Sequence, residues 1–98
     1  MLVRIVKLSF KKENISSFEK VFEEAKTQIR EFDGCNLLEL YQDKNNPNIF
    51  FTYSYWNNEN DLENYRNSDF FKSVWSKTKV MFDAKPEAWS VSKKAILS

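Results

Sequence analysis

Few side chains in this sequence could take part in acid–base chemistry, because the chain contains no histidine. Carboxylates, tyrosines and lysines with shifted pKa values are the remaining groups that could move a proton. Tyr53, Tyr55 and Tyr65 are candidates by residue type. Glu39 interrupts the apolar stretch "LLELY", where it either reaches solvent at the edge of a sheet or projects into a pocket. Residue type alone assigns none of these four a catalytic role.

The missing histidine also excludes several kinds of site. Ser-His-Asp catalysis, histidine-based metal sites and the ordinary axial ligand of haem all require that side chain. A nucleophilic cysteine usually needs a basic partner, so we expect the single cysteine, Cys35, to be a buried apolar residue in a reducing compartment. With Gly34 as its only glycine, the chain has no glycine-rich phosphate loop or dinucleotide fingerprint. The sequence therefore predicts no metal and no cofactor.

Charge and hydropathy exclude two classes of partner. The 15 Lys and Arg residues nearly balance the 14 Asp and Glu residues, which leaves a net charge of +1. Such a chain has no field that would attract nucleic acid or an anionic membrane. No apolar run approaches the roughly 20 residues of a membrane span, and "MLVRIVKLSF" is typical of a strand rather than a signal peptide. We expect a cytoplasmic protein that binds neither nucleic acid nor membrane.

Basic residues interrupt two of the predicted elements. Arg4 and Lys7 lie on opposite sides of the first apolar strand, and we expect each to snorkel or to form an ion pair rather than to bind a substrate. Arg66 lies beside a helix break in "YRNS", where surface pairing is the expectation.

The order of the predicted elements defines a fold class. Short β-branched or aromatic runs alternate with segments of helical period, and these are "LVRIVKLSF", "NISSFEKVFEEAKTQIREF", "CNLLELYQ", "IFFTYSYW", the helical region from "NNENDLENYRN" to Pro86, and "EAWSVSKKAIL". The order β-α-β-β-α-β is that of the ferredoxin-like α+β fold, an antiparallel sheet with both helices on one face. The sequence predicts a single domain over residues 1–98.

The segment "SDFFKSVW" begins a helix with an aromatic inner face. Ser68 can cap this helix, and Asp69 suits its first turn. Phe71, Val74 and Trp75 then follow at helical spacing. This face is either core that fills the space above the sheet or the wall of a pocket.

The predicted sheet is apolar on both faces, whereas a sheet with one solvated face should alternate apolar and polar residues. An open apolar face usually marks an interface. Two such sheets packed face to face in a homodimer would cover it. The alternating sets in one strand are Ile49, Phe51, Tyr53 and Tyr55 on one side, and Phe50, Thr52, Ser54 and Trp56 on the other.

With these elements in place, the chain resembles the antibiotic biosynthesis monooxygenase family. The resemblance covers nearly the whole chain and lies in "FDGC", in the strand ending "YSYW", and in "LENYRNSDFFKSVW" with Pro86 and Trp89 beyond it. It implies a dimeric ferredoxin-like α+β barrel with a pocket between the sheet and the helices of each subunit. It also implies oxidoreductase chemistry, since some members oxidise phenols or quinols with O2 and without metal or flavin, and others degrade haem.

The resemblance argues against haem. Haem-degrading members carry an Asn, a Trp and a His at positions that correspond here to Val6, Tyr65 and Trp75. Val6 cannot hydrogen-bond bound oxygen, and Trp75 has no lone pair for iron, so we expect no haem. Trp75 either plugs the family's cavity or, with Tyr65, lines a smaller one.

We therefore expect a cofactor-independent monooxygenase that acts on a small aromatic or quinol-like compound. The alternative is a homodimer of the same fold that binds a small ligand, or is purely structural, without catalysis. A cavity of at least about 300 Å³ with convergent polar groups would favour the enzyme. The candidate pocket residues are Val6, Tyr53, Tyr65, Phe71 and Trp75.

Overall fold

The computed structural model describes all 98 residues and confirms the predicted α+β fold. Single turns of 3-10 helix, Lys12–Asn14 and Lys79–Met81, flank two of the helices. The main elements in chain order are β1 (Leu2–Ser9), α1 (Ile15–Arg30), β2 (Cys35–Gln42), β3 (Ile49–Trp56), α2 (Glu59–Arg66), α3 (Asp69–Thr78) and β4 (Glu87–Ser92).

The four strands form one antiparallel sheet in the order β2-β3-β1-β4. The central strands β1 and β3 pair along their whole length, from Leu2 opposite Trp56 to Ser9 opposite Ile49. Because side chains alternate along a strand, Val6 lies on the same face as its partners Thr52 on β3 and Ala88 on β4. The helices cover this face, which we call the inner face.

The core lies between the inner face and the helices, and it has two aromatic centres. At one end, Phe10 stacks on Phe18 with ring centroids 4.2 Å apart, and Phe50 meets Phe18 edge-on at 5.1 Å. At the other end, the fully buried Trp56 packs with Cys35 and Leu62. These clusters fix the helices at both ends of the sheet and leave a space between them.

The second helical region is divided into two helices at the break predicted in "YRNS". Ser68 adopts an extended backbone, with φ −72° and ψ 151°, which ends α2 and begins α3. Its hydroxyl oxygen accepts a hydrogen bond from the Phe71 backbone N–H at 3.1 Å and satisfies one of the free donors of the first turn. The new helix direction turns Phe71 and Trp75 towards the inner face.

Gly34 joins α1 to β2 through a turn that requires glycine. Its φ is +90°, in the left-handed region that side chains disfavour. A Cβ atom at this position would also collide with the Asp61 side chain of α2. The Gly34 carbonyl accepts a hydrogen bond from the Asn57 backbone N–H at 2.9 Å, which ties this turn to the end of β3.

The other side of the sheet, which we call the outer face, carries large apolar side chains and no helix. Tyr41 and Tyr53 meet edge-on with ring centroids 5.2 Å apart. The Lys93 ammonium lies 4.4 Å from the centroid of the Tyr55 ring. Trp89 is 44% exposed on the edge strand β4. None of the helices is long and apolar enough to cross a membrane.

Candidate functional site

A cavity of about 320 Å³ separates the middle of the inner face from the helices. Val6 and Leu8 of β1 and Thr52 and Ser54 of β3 form its floor. Its walls and roof come from all three α-helices, and 13 of its 19 lining residues are hydrophobic. This volume lies within the lower range of cavities that hold small organic ligands.

Four of the five predicted pocket residues line this cavity, namely Val6, Tyr65, Phe71 and Trp75. The fifth, Tyr53, does not. It pairs with Ile5 and Glu39 and therefore lies on the outer face. The prediction for Tyr53 was wrong because residues alternate along a strand, and Thr52 and Ser54 on either side of it face the cavity instead.

Trp75 lines the cavity without filling it. Its indole is half-buried and stacks on Phe71, with centroids 5.9 Å apart and planes 11° from parallel. Phe82 contacts its other side at a centroid distance of 5.6 Å. Space remains beside the ring, so the indole forms part of the wall of the cavity that is present.

Tyr65 is held by other rings rather than by hydrogen bonds. It stacks on Trp56 at 5.0 Å and meets Phe71 edge-on at the same distance. Burial, with a smaller contribution from the charge of Cys35, raises the pKa of the Tyr65 phenol well above its usual range. The hydroxyl is therefore protonated at neutral pH and cannot act as a base there.

The remaining acid–base candidates lie outside the cavity. Glu39 is exposed on β2, an edge strand, and accepts a hydrogen bond from the Tyr41 hydroxyl at 2.6 Å. Tyr55 lies on the outer face with Tyr53. No Asp, Glu or Lys is among the residues that line the cavity. No group of three or more His, Cys, Asp or Glu side chains is placed to hold a metal ion.

Two of the four hydroxyl groups in the cavity wall are already hydrogen-bonded. The Ser54 hydroxyl accepts a hydrogen bond from the Trp56 indole N–H at 3.0 Å, and the Thr78 hydroxyl donates to the Val74 carbonyl at 2.8 Å. Thr52 makes no side-chain hydrogen bond within the protein, so its hydroxyl is free to meet a ligand.

Two arginines complete the polar part of the wall, and the sequence did not predict them there. Arg4 extends from β1 on the inner face, where its Nη1 donates to the Ser90 hydroxyl at 3.0 Å, and it makes no ion pair. Arg66 does form the expected surface pair, with Glu63 at 3.0 Å, yet it also lines the cavity. Lys7, on the outer face, is paired with Glu87 at 3.8 Å, as expected.

The position of Arg4 on the inner face could have been predicted from its alternation with Leu2, Val6 and Leu8. All four residues share the side of β1 that packs under the helices. A charged residue in that series must either reach past the helices to solvent or enter the space beneath them.

Several solved structures share the fold of this chain over nearly its whole length. A conserved protein from Methanosarcina mazei Go1 is 25% identical with a TM-score of 0.89, over 96% of this chain and 94% of that one. A crystal structure of an antibiotic biosynthesis monooxygenase superposes with a TM-score of 0.91 at 17% identity, over 97% of this chain and 100% of that one. A proposed antibiotic biosynthesis monooxygenase from Nitrosomonas europaea gives 0.90 at 15% identity, with the same coverage.

No curated protein matches the sequence. The model of the antibiotic biosynthesis monooxygenase family, however, matches residues 1–75, which include β1 and nearly all of the cavity-lining helices. The fold and the sequence match agree, and the chain belongs to the antibiotic biosynthesis monooxygenase family.

Proposed function

We propose that this protein is a cofactor-independent monooxygenase that oxidises a small aromatic or quinol-like compound in the cavity. The observation that carries the proposal is the cavity itself, which has about 320 Å³ of space, aromatic walls and two guanidinium groups. Its apolar wall, including Val6, Phe71 and Trp75, suits the flat face of a ring and keeps water away from it.

The reaction needs a substrate whose ring is rich in electrons, and a phenolate is such a species. Because the wall holds no carboxylate or lysine, the hydroxyl proton would leave to water, and Arg4 and Arg66 would stabilise the resulting anion. A ring carbon of the phenolate then bonds to one atom of O2. The O–O bond breaks, a ring carbonyl remains, and the second oxygen atom leaves as hydroxide with the hydrogen of that carbon. The hydroxide then takes up the proton that the phenol released and becomes water. One phenol and one O2 thus give one quinone and one water, with the electrons coming from the substrate.

The first test uses 1-naphthol and ¹⁸O2. We expect 1,4-naphthoquinone that carries one ¹⁸O atom in the new carbonyl, detected by mass spectrometry above the rate without protein. Val6→Phe should abolish this turnover because the larger ring occupies the floor of the cavity. Lys7→Gln, the next residue on the same strand but on the opposite face, is the matched control and should retain it.

If Val6→Phe formed the labelled product at the wild-type rate, the reaction would not take place in this cavity. Binding of 1-naphthol without any incorporation of ¹⁸O would instead favour the alternative function, a dimer that binds a small ligand without catalysis. One observation speaks for that alternative, namely the absence of any carboxylate or lysine from the cavity wall.

Haem is not part of the proposed chemistry. Val6, Tyr65 and Trp75, which correspond to the haem-site positions of the related degraders, meet at one cavity. Val6 and Trp75 have no atom that can ligate iron, and burial, which raises the pKa of the Tyr65 phenol, keeps that phenol protonated. We expect titration with haemin to give no stoichiometric shift of the Soret band. A sharp, one-to-one shift that disappears in Tyr65→Phe or Trp75→Phe would contradict this.

The protein's proposed working form is a cytoplasmic homodimer joined through the outer faces of its two sheets. The large apolar side chains of that face support this arrangement, among them Tyr41, Trp89 and Val91, which are 45%, 44% and 41% exposed in the single chain. The free, buried Cys35 is consistent with a reducing compartment. A stable dimer of this kind should bury at least about 1,200 Å² in total.

A further inference from the structure

Two guanidinium groups line one cavity, and the cavity contributes no carboxylate of its own. Arg4 projects from the middle of the sheet and is only partly exposed, whereas Arg66 is exposed at the end of α2. Since Arg66 both lines the cavity and reaches solvent, it marks the place where the cavity opens.

The positive charge at this position is not balanced within the protein. Glu63 is bonded to Arg66, and Arg4 has only the neutral Ser90 hydroxyl as a partner. Burial is the main cause that lowers the pKa of Arg4, the charge of Arg66 lowers it further, and Glu63 opposes both. Two guanidinium groups therefore share one carboxylate beside an apolar space, where charges interact more strongly than in water.

We propose that the ligand of this cavity is an aromatic acid, whose carboxylate is bound by Arg4 and Arg66 while its ring lies against Val6, Phe71 and Trp75. The inference rests on the proposed function for the choice of cavity, and it adds the class of substrate, a hydroxylated aromatic acid whose carboxylate and neighbouring phenolate oxygen would share the two guanidinium groups. An anion at this position would balance the excess charge. It would also use the N–H groups that Ser90 and Glu63 leave free.

The chemistry of the guanidinium group favours a carboxylate over a neutral polar group. Arginine presents planar pairs of N–H donors that match the two oxygens of a carboxylate, and such charge-assisted bonds are about twice as strong as neutral ones. The apolar wall adds affinity for the ring through burial. A molecule with both features would be held in one orientation, with its ring directed to the interior of the cavity.

The experiment compares two probes of nearly equal shape by isothermal titration calorimetry. One is 2-naphthoate and the other is 2-naphthalenemethanol, in which a neutral alcohol replaces the carboxylate. We expect the wild type to bind the acid at least about tenfold more tightly, as hydrogen bonds to charged groups predict. Arg4→Gln and Arg66→Gln should each reduce this preference several-fold, because they weaken binding of the acid more than binding of the alcohol.

Lys7→Gln serves as the control, because it removes a positive charge from the same strand as Arg4 but from the outer face. Its preference for the acid should equal that of the wild type. Arg4→Lys, which keeps the charge but loses the planar fork, should retain part of the preference. Far-UV circular dichroism of each variant verifies that the fold is intact.

Equal affinity of the wild type for the two probes would overturn the inference. An unchanged preference in both glutamine variants would also overturn it, and so would the absence of binding of either probe at millimolar concentration. An equal loss of preference in Lys7→Gln would show that net charge, rather than this site, is responsible, and would also overturn it. Failure of the proposed oxidation is a separate result, recognised by a preserved preference for 2-naphthoate with no ¹⁸O in any product. Oxidation of 1-naphthol without a preference for the acid would support the proposed oxidation and contradict the proposal that the ligand is an aromatic acid.

Discussion

Replacement of Trp56 by alanine should lower the free energy of unfolding by about 3–5 kcal/mol, whereas the same change at Trp75 should lower it by only about 1–2 kcal/mol. Trp56 is fully buried, stacks on Tyr65 at 5.0 Å and donates its indole N–H to Ser54 at 3.0 Å. Its removal would leave a void and an unpaired hydroxyl in the core. Trp75 is only half-buried, whereas Trp56 is fully buried, so fewer contacts are lost when the Trp75 ring is removed.

Denaturant unfolding of both variants would measure the difference. The protein concentration must be the same throughout, because association of two chains would make the apparent stability depend on it. The two tryptophans form a matched pair in which only the surroundings of the indole differ. A loss above about 3 kcal/mol for Trp75→Ala would show that this ring is core rather than cavity wall, and would weaken the proposed enzyme with it.

Ile5→Asp should convert the proposed dimer to a monomer of 11.7 kDa. Ile5 lies on the outer face in the central strand β1, between Tyr53 of β3 and Trp89 of β4. A carboxylate buried there between two apolar sheets would lack a partner, and burial of an unpaired charge costs several kcal/mol. Sedimentation velocity at micromolar concentration is the measurement, and the wild type should sediment at twice the monomer mass.

Val80→Asp is the control for this experiment. Val80 is an apolar residue that is 70% exposed in the single turn of 3-10 helix after α3. Introduction of an aspartate at that position should not affect association, and the variant should sediment at the same mass as the wild type. A wild type that sediments only as a monomer would refute the dimer, and an Ile5→Asp variant that stays dimeric would show that the outer face is not the contact.

The sequence was sufficient to locate the strands because their boundaries are chemically abrupt. The segments "CNLLELYQ" and "IFFTYSYW" are β2 and β3 residue for residue, and the turn chemistry between them explains the agreement. Asp43 accepts hydrogen bonds there from the backbone N–H groups of Asn45 and Asn46 at 3.0 and 2.8 Å. Interactions of this kind are local, so they can be recognised from a few neighbouring letters.

The cavity depended on contacts between distant parts of the chain and was only partly predictable. Helical spacing placed Phe71 and Trp75 towards the sheet correctly, because that spacing is a local property. Tyr53 was assigned to the cavity by residue type, although strand alternation places it on the outer face. The proximity of Arg4 to Arg66 follows from the packing of α2 over the sheet, and no local pattern in the sequence specifies it.

The two-sided use of β3 restricts how the length of this chain can change over evolution. Thr52, Ser54 and Trp56 serve the cavity and the core, while Phe51, Tyr53 and Tyr55 between them serve the outer face. Insertion of one residue into this strand would exchange the two sets and bring tyrosines into the cavity. The turn of residues 43–48 is not constrained in this way, since none of its residues belongs to a strand or lines the cavity. Descendants of this sequence should therefore differ in length at that turn and keep β3 at eight residues.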